Sequence, residues 1–151
     1  MADSHHEFLL LSREHYPYAE YMQWINNPKA IHLHDDLMHY LDDSLRWITC
    51  YNPAKRMLKH KGLNFYGPTV IKSDGAVVLQ RILSGWSEIF SSGPKRINLT
   101  GPYERREGET GSHTIIKLDR DVVVKTLNRL SNYAQSVSQS EDKLYILHLG
   151  M

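Results

Sequence analysis

The apolar run Leu144-Tyr145-Ile146-Leu147-His148-Leu149 near the end of the chain constrains its fold more than any other feature. A strand with one face in water alternates apolar and polar residues with a period of two. This run does not alternate, so it reads as a strand covered on both faces. The rest of the chain must then supply two layers of apolar cover.

Upstream of that strand the periodicities give a consistent order. Phe65 to Ile71 reads as a strand, and Ser73-Asp74 can open a helix with Leu79, Ile82, Leu83, Trp86, Ile89 and Phe90 on one face. Gly93-Pro94 ends that helix. Strands follow at Arg96 to Thr100 and Ser112 to Leu118, joined by a polar loop from Gly101 to Gly111. Asp119 or Asp121 caps a last helix carrying Val123, Leu127, Leu130, Ala134 and Val137 inward. The order in residues 65–149 is strand, helix, strand, strand, helix, strand, the split βαβ arrangement of ferredoxin-like folds. The fold class expected is α+β with an antiparallel sheet.

Residues 1–61 read as mainly helical and as the second layer on that sheet. A short helix is expected after Pro17 with Tyr18, Tyr21, Met22 and Ile25 on one face. A second starts at Asp35 or Asp36 and runs through Leu37, Leu41, Leu45 and Ile48. Phe8-Leu9-Leu10-Leu11 is plausible as a strand, which would make the sheet five-stranded. No Gly/Ser-rich or Pro-rich spacer divides the chain, so 1–151 is expected to be one folding unit.

Charge narrows the functional classes. There are 18 Lys+Arg against 17 Asp+Glu, a formal charge of +1, which argues against binding driven by phosphate neutralisation. The most basic stretch, Lys55-Arg56-Met57-Leu58-Lys59-His60-Lys61, reads as a solvated helical turn. The strand Ser112 to Leu118 lacks the stacking aromatics of an RNA-binding sheet. No apolar run reaches the roughly 18 to 20 residues of a membrane span, and the N-terminus lacks the basic flank and apolar stretch of a secretory signal. Cys50 is the one cysteine, which points to a reducing compartment. A cytoplasmic protein is expected.

The densest cluster of chemistry-bearing side chains is Ile31-His32-Leu33-His34-Asp35-Asp36-Leu37-Met38-His39. If His32 and His34 lie on an extended entry to the helix, their side chains point to the same side, and His39 sits about one turn beyond the carboxylates. His32, His34, Asp35 and His39 are the candidate ligands for a divalent metal. The competing reading is that Asp35 and Asp36 complement the positive end of the helix, with solvated histidines around them. His5-His6 reads as a disordered end, His148 as a sheet-face histidine, and Cys50 as a small buried hydrophobe. There is no nucleophile elbow, Walker loop or dinucleotide glycine loop. No cofactor is expected, and an enzyme is the less favoured class.

The loop Thr100 to Gly111 is long for a hairpin and dense in both signs of charge. Tyr103, Glu104, Arg105, Arg106, Glu107 and Glu109 have the chemistry of a protein–protein contact, with Tyr and Arg as anchors and the charges for steering. In size, layout, near-neutral charge and lack of catalytic signatures the chain resembles the small immunity proteins that bacteria pair with toxins. That resemblance implies a protein partner, a toxin domain covered at its active site. The alternatives are a small metal-dependent enzyme using the histidine cluster and a nucleic-acid or ligand-binding regulatory domain on an open sheet face.

Overall fold

The computed structural model describes residues 5–15 and 18–150. In chain order these form strand β1 (His5–Ser12), 3-10 turns at Arg13–His15 and Tyr18–Trp24, strand β2 (Ile31–His34), helix α1 (Asp35–Leu45), strand β3 (Thr49–Asn52), a 3-10 turn at Pro53–Lys55, and strands β4 (Leu58–Lys61) and β5 (Pro68–Ile71). Helix α2 (Ser73–Ser91), strands β6 (Arg96–Glu104) and β7 (Ser112–Asp119), helix α3 (Arg120–Ser138) and strand β8 (Leu144–Gly150) complete the fold. It is a mixture of helices and antiparallel sheet.

The sheet is not the ferredoxin-like one. Six strands pair in the order β2-β1-β8-β5-β3-β4, and β6 and β7 form a separate two-stranded sheet. The linear order of residues 65–149 is as expected, but β6 and β7 are withheld from the main sheet. The place beside β5 that the split βαβ order gives to β7 is taken by β3, and the other edge of β8 is extended by β1, paired from Ser12↔Leu144 to His6↔Gly150. The N-terminal part is accordingly not mainly helical: residues 5–61 contribute four strands and one α-helix. The basic stretch at Lys55–Lys61 is also corrected, since Arg56 and Met57 take left-handed conformations at φ 52 and 57 and turn the chain into β4. Cross-strand pairing with β3 outweighs a weak helical pattern there.

Strand β8 behaves as its composition demands. Ile146 faces a core shared with Leu41, Leu79, Leu83, Leu127 and Leu130 from the helices. Tyr145, Leu147 and Leu149 face a second cluster with Leu9, Leu11 and Val70, covered by Tyr21, Trp24 and Ile25 from the segment around the Tyr18–Trp24 turns. That segment was expected as a helix after Pro17, a residue outside those described. At the other face, Gly75 in the first turn of α2 sits so close to the Thr49 carbonyl that a Cβ would collide with it. The absence of that atom lets α2 reach the sheet next to β3.

Asp119 starts α3 as the sequence indicates, whereas the N-cap positions of α1 and α2 fall before the expected caps, at His34 and at Lys72, the latter without a side-chain cap bond. Asp119 caps α3 by accepting from Val122 N–H at 3.1 Å. The N-cap of α1 is His34, whose Nδ1 accepts from Asp36 N–H at 3.0 Å, with Asp35 and Asp36 in the first turn.

Candidate functional site

A line of buried polar side chains crosses the helix-facing side of the sheet. His6 is supplied by β1, His148 by β8 and Thr69 by β5, three neighbouring strands. Phe8 pairs with His148, and His148 with Thr69, across those strands. Each of the three polar residues is fully buried. His6 Nδ1 lies 2.9 Å from His148 Nε2, His6 Nε2 lies 2.9 Å from Asp35 Oδ1, and His148 Nδ1 lies 3.3 Å from Thr69 Oγ1. Asn64 N–H donates to the Thr69 hydroxyl at 2.8 Å.

One assignment of protons satisfies the whole line. With Asp35 a carboxylate, His6 Nε2–H donates to it, which leaves His6 Nδ1 as an acceptor for His148 Nε2–H. His148 Nδ1 then accepts from the Thr69 hydroxyl. Both imidazoles are neutral in this arrangement and every hydrogen bond runs toward Asp35. The electrostatics agree. Burial pushes His148 down to about 3, with His6 beside it acting in the same sense. Burial also lowers His6, although its hydrogen bond to Asp35 opposes that shift.

The line reaches solvent at α1. His39, one turn beyond Asp35, is about half exposed and holds Nε2 3.4 Å from Asp35 Oδ2. Phe65 lies between the two histidines, stacked on His39 at 4.2 Å and edge-on to His6 at 4.6 Å, and separates His6 from water. Beside His39, Asp42, Arg46, Lys61, Phe65 and Tyr66 line an open cleft of about 520 Å³.

The candidate metal quartet is therefore split. His32 and His34 lie on β2, where alternate residues share a face, opposite Glu7 and His5 of β1. At Asp35 the chain turns into α1, which carries Asp35 and His39 to the other side of the sheet. Among the described residues, no three His, Cys, Asp or Glu side chains stand together as a ready metal site. His5-His6 is not a loose end: both residues are in β1, and His6 is in the core. His148 is a sheet-face histidine as expected, and Cys50 is buried with its thiol pushed up to about 12, mainly by desolvation.

The six candidate interface residues come together at the far end of the β6–β7 hairpin. Tyr103 and Glu104 end β6, and Arg105, Arg106, Glu107 and Glu109 form the turn, all exposed. The hairpin's inner face is fixed to the core by Ile97 and Ile116, both buried, with Leu99 and Leu118 against them. Its outer face presents Tyr103 at 59% exposure and Ile115 at 63%. A register shift between Thr100 and Tyr103 places Tyr103 opposite His113, with rings 5.3 Å apart edge to face. His113 Nδ1–H donates to Gly101 C=O at 2.9 Å. The Tyr103 ring also lies over Gly111, where a Cβ would collide with it.

Sequence reasoning missed Glu7, His5 and His6 as members of clusters. The available signal was the phase of β1, which puts His6 in step with Phe8 and Glu7 in step with Leu9. Comparison with protein-family models, with curated proteins and with solved structures gives no match to this chain.

Proposed function

We propose that the protein acts by binding another protein and blocking it, in the manner of an immunity protein, with the β6–β7 hairpin as the contacting arm. The observation that carries this reading is the outer face of the hairpin. Tyr103 and Ile115 are held in water on an arm whose other face is anchored in the core. Exposed apolar side chains on a rigid element, rimmed by charge, mark a recognition surface. Tyr103 is pre-positioned by His113 and Gly111, so little side-chain freedom is lost on contact. Arg105, Arg106, Glu104, Glu107 and Glu109 around it supply steering and discrimination in place of bulk attraction.

The reading places the protein in the cytoplasm, which a lone buried thiol suits. No helix among the described residues is long and apolar enough to cross a membrane. A second reading, a general acid–base enzyme, is favoured by one observation, the contact of exposed His39 with Asp35 at the mouth of the buried line.

The test is co-purification of the wild-type chain with co-expressed products of neighbouring genes, followed by size-exclusion chromatography. The same is done for Arg105→Glu/Arg106→Glu and Tyr103→Ala/Ile115→Ser double variants. One stoichiometric partner, retained by wild type, lost by both variants and inhibited in the complex, is the expected result. A partner held equally by the variants would overturn the arm as the contact, and a chain that remains alone would overturn the binding reading.

A further inference from the structure

On the face of the sheet away from the helices, β1 and β2 bring four side chains into a two-by-two array. The pairs His5↔His34 and Glu7↔His32 stand directly opposite each other, and alternate residues of each strand share that face. The His5 ring is 6.0 Å from His32 and 5.6 Å from His34 between centroids, edge to face in both cases. Glu7 is 1% exposed. Its Oε2 accepts from Asn26 N–H at 3.1 Å. Its Oε1 is, among the described residues, the one buried side-chain oxygen or nitrogen with no hydrogen-bond partner. That oxygen is aimed at His32, 4.0 Å from Nδ1.

A buried carboxylate oxygen left without a donor is costly and rare. Here it sits at the floor of a histidine cluster whose rings are open to solvent, with His32 at 47% exposure and His34 at 41%. We propose that His5, Glu7 and His32 form a binding site for a divalent transition metal of the zinc class. Two imidazole nitrogens and a carboxylate oxygen are the donor set such ions prefer over magnesium or calcium. Donor atoms around a tetrahedral zinc ion stand about 3.4 Å apart, and ring centroids of two histidine ligands about 5.3 Å apart, from the usual bond lengths. Glu7 Oε1 and His32 Nδ1, at 4.0 Å, and the His5 and His32 rings, at 6.0 Å, stand about 0.6–0.7 Å beyond these values. A rotation of the exposed His32 ring shortens the first distance, and the His5 ring must turn toward the same point to complete the set.

His34 stays outside the set. Its Nδ1 lone pair holds the N-cap of α1 through Asp36 N–H, so the neutral ring carries its proton on Nε2 and has no second lone pair to give. The fourth position on the ion is left to water or to a group from a bound molecule.

The experiment uses the untagged full-length chain, stripped with a chelator and titrated with Zn²⁺ by calorimetry and with Co²⁺ by visible absorption. One equivalent of Zn²⁺ with a rise in melting temperature, and the ligand-field band of four-coordinate Co²⁺, are expected. His32→Ala, which alters an exposed ring, should weaken binding by about tenfold or more, and Glu7→Gln should do the same. His34→Asn keeps a capping side chain and should leave binding intact, as should His39→Ala on the other face. Absence of the cobalt band, binding undiminished in His32→Ala, or binding lost in His39→Ala alone would each overturn the assignment.

Discussion

Acid should loosen this protein well before its carboxylates titrate, because His6 and His148 are buried neutral. The unfolded chain takes up protons at these histidines near pH 6.5. In the folded chain burial holds His148 at about 3 and lowers His6. The native state thus binds fewer protons, and stability is complete above the unfolded value and lost as pH falls from about 6.5 toward the native values. Between pH 7 and pH 5 His148 alone removes about 2 kcal/mol, with a limiting slope near 1.4 kcal/mol per pH unit. His6 adds in the same direction. Asp119 and Asp121, lowered through the Val122 backbone and Lys95 for the first and through Lys95 and Arg120 for the second, act in the same sense. Their contribution is lost only as pH falls through about 4, the usual carboxylate range. The assay is urea denaturation at pH 7, 6 and 5, read by circular dichroism, with a check that the denaturant slope stays constant. His148→Gln keeps a polar group opposite His6 and removes the titration. It should lower stability at pH 7 by about 1–3 kcal/mol and remove about one proton's worth of slope. A wild-type stability that is flat from pH 7 to pH 5, or a His148→Gln chain with the wild-type slope, would refute the neutral assignment of the buried line.

Three further outcomes follow from packing and chemistry. Leu127, fully buried in the larger core, should cost about 2–5 kcal/mol on truncation to Ala, read as a shift of the urea midpoint. Gly75→Ala drives a methyl into the Thr49 carbonyl, so α2 must withdraw from β3; overpacking of this kind costs about 1–3 kcal/mol, measured in the same way. Cys50, with its thiol pushed up to about 12 by burial, should react with a thiol reagent at neutral pH only as fast as the chain opens. Rapid labelling of the native protein would contradict this.

The legible parts of the fold were those that local pattern decides. The two long helices, their starts near Ser73 and Asp119, and the strands at 96, 112 and 144 each carry a period or a cap that needs no partner to interpret. The destination of β6 and β7 was not legible. An antiparallel hairpin with one apolar face can join a sheet or lie against helices, and Ile97, Leu99, Ile116 and Leu118 would look the same in either place. In the main sheet the edge of β5 that β7 would need is filled by β3, and the other edge of β8 by β1 over seven paired residues. Phe8 to Leu11 advertised a strand but not its neighbour.

The histidines show where such reasoning stops. His32 and His34 share a face because strand alternation is local, and that much was readable from spacing. Their partners, Glu7 and His5, come from pairing across 25 or more residues, which nothing in the local pattern specifies. Asp35 follows His34 directly, yet the change from strand to helix between them sends the two side chains to opposite sides of the sheet, where Asp35 meets His6 and His39. A cluster dense in sequence was thus divided, and two residues that looked incidental, His6 and His148, are joined across almost the full length of the chain. Register sets this division. A one-residue slip of β1 against β8 would move His6 to the opposite face and Glu7 into the larger core. Glu7 buried there without its Asn26 contact would disfavour that slip strongly. The polar residues on β1 therefore fix the pairing that the purely apolar Phe8 to Leu11 would leave open.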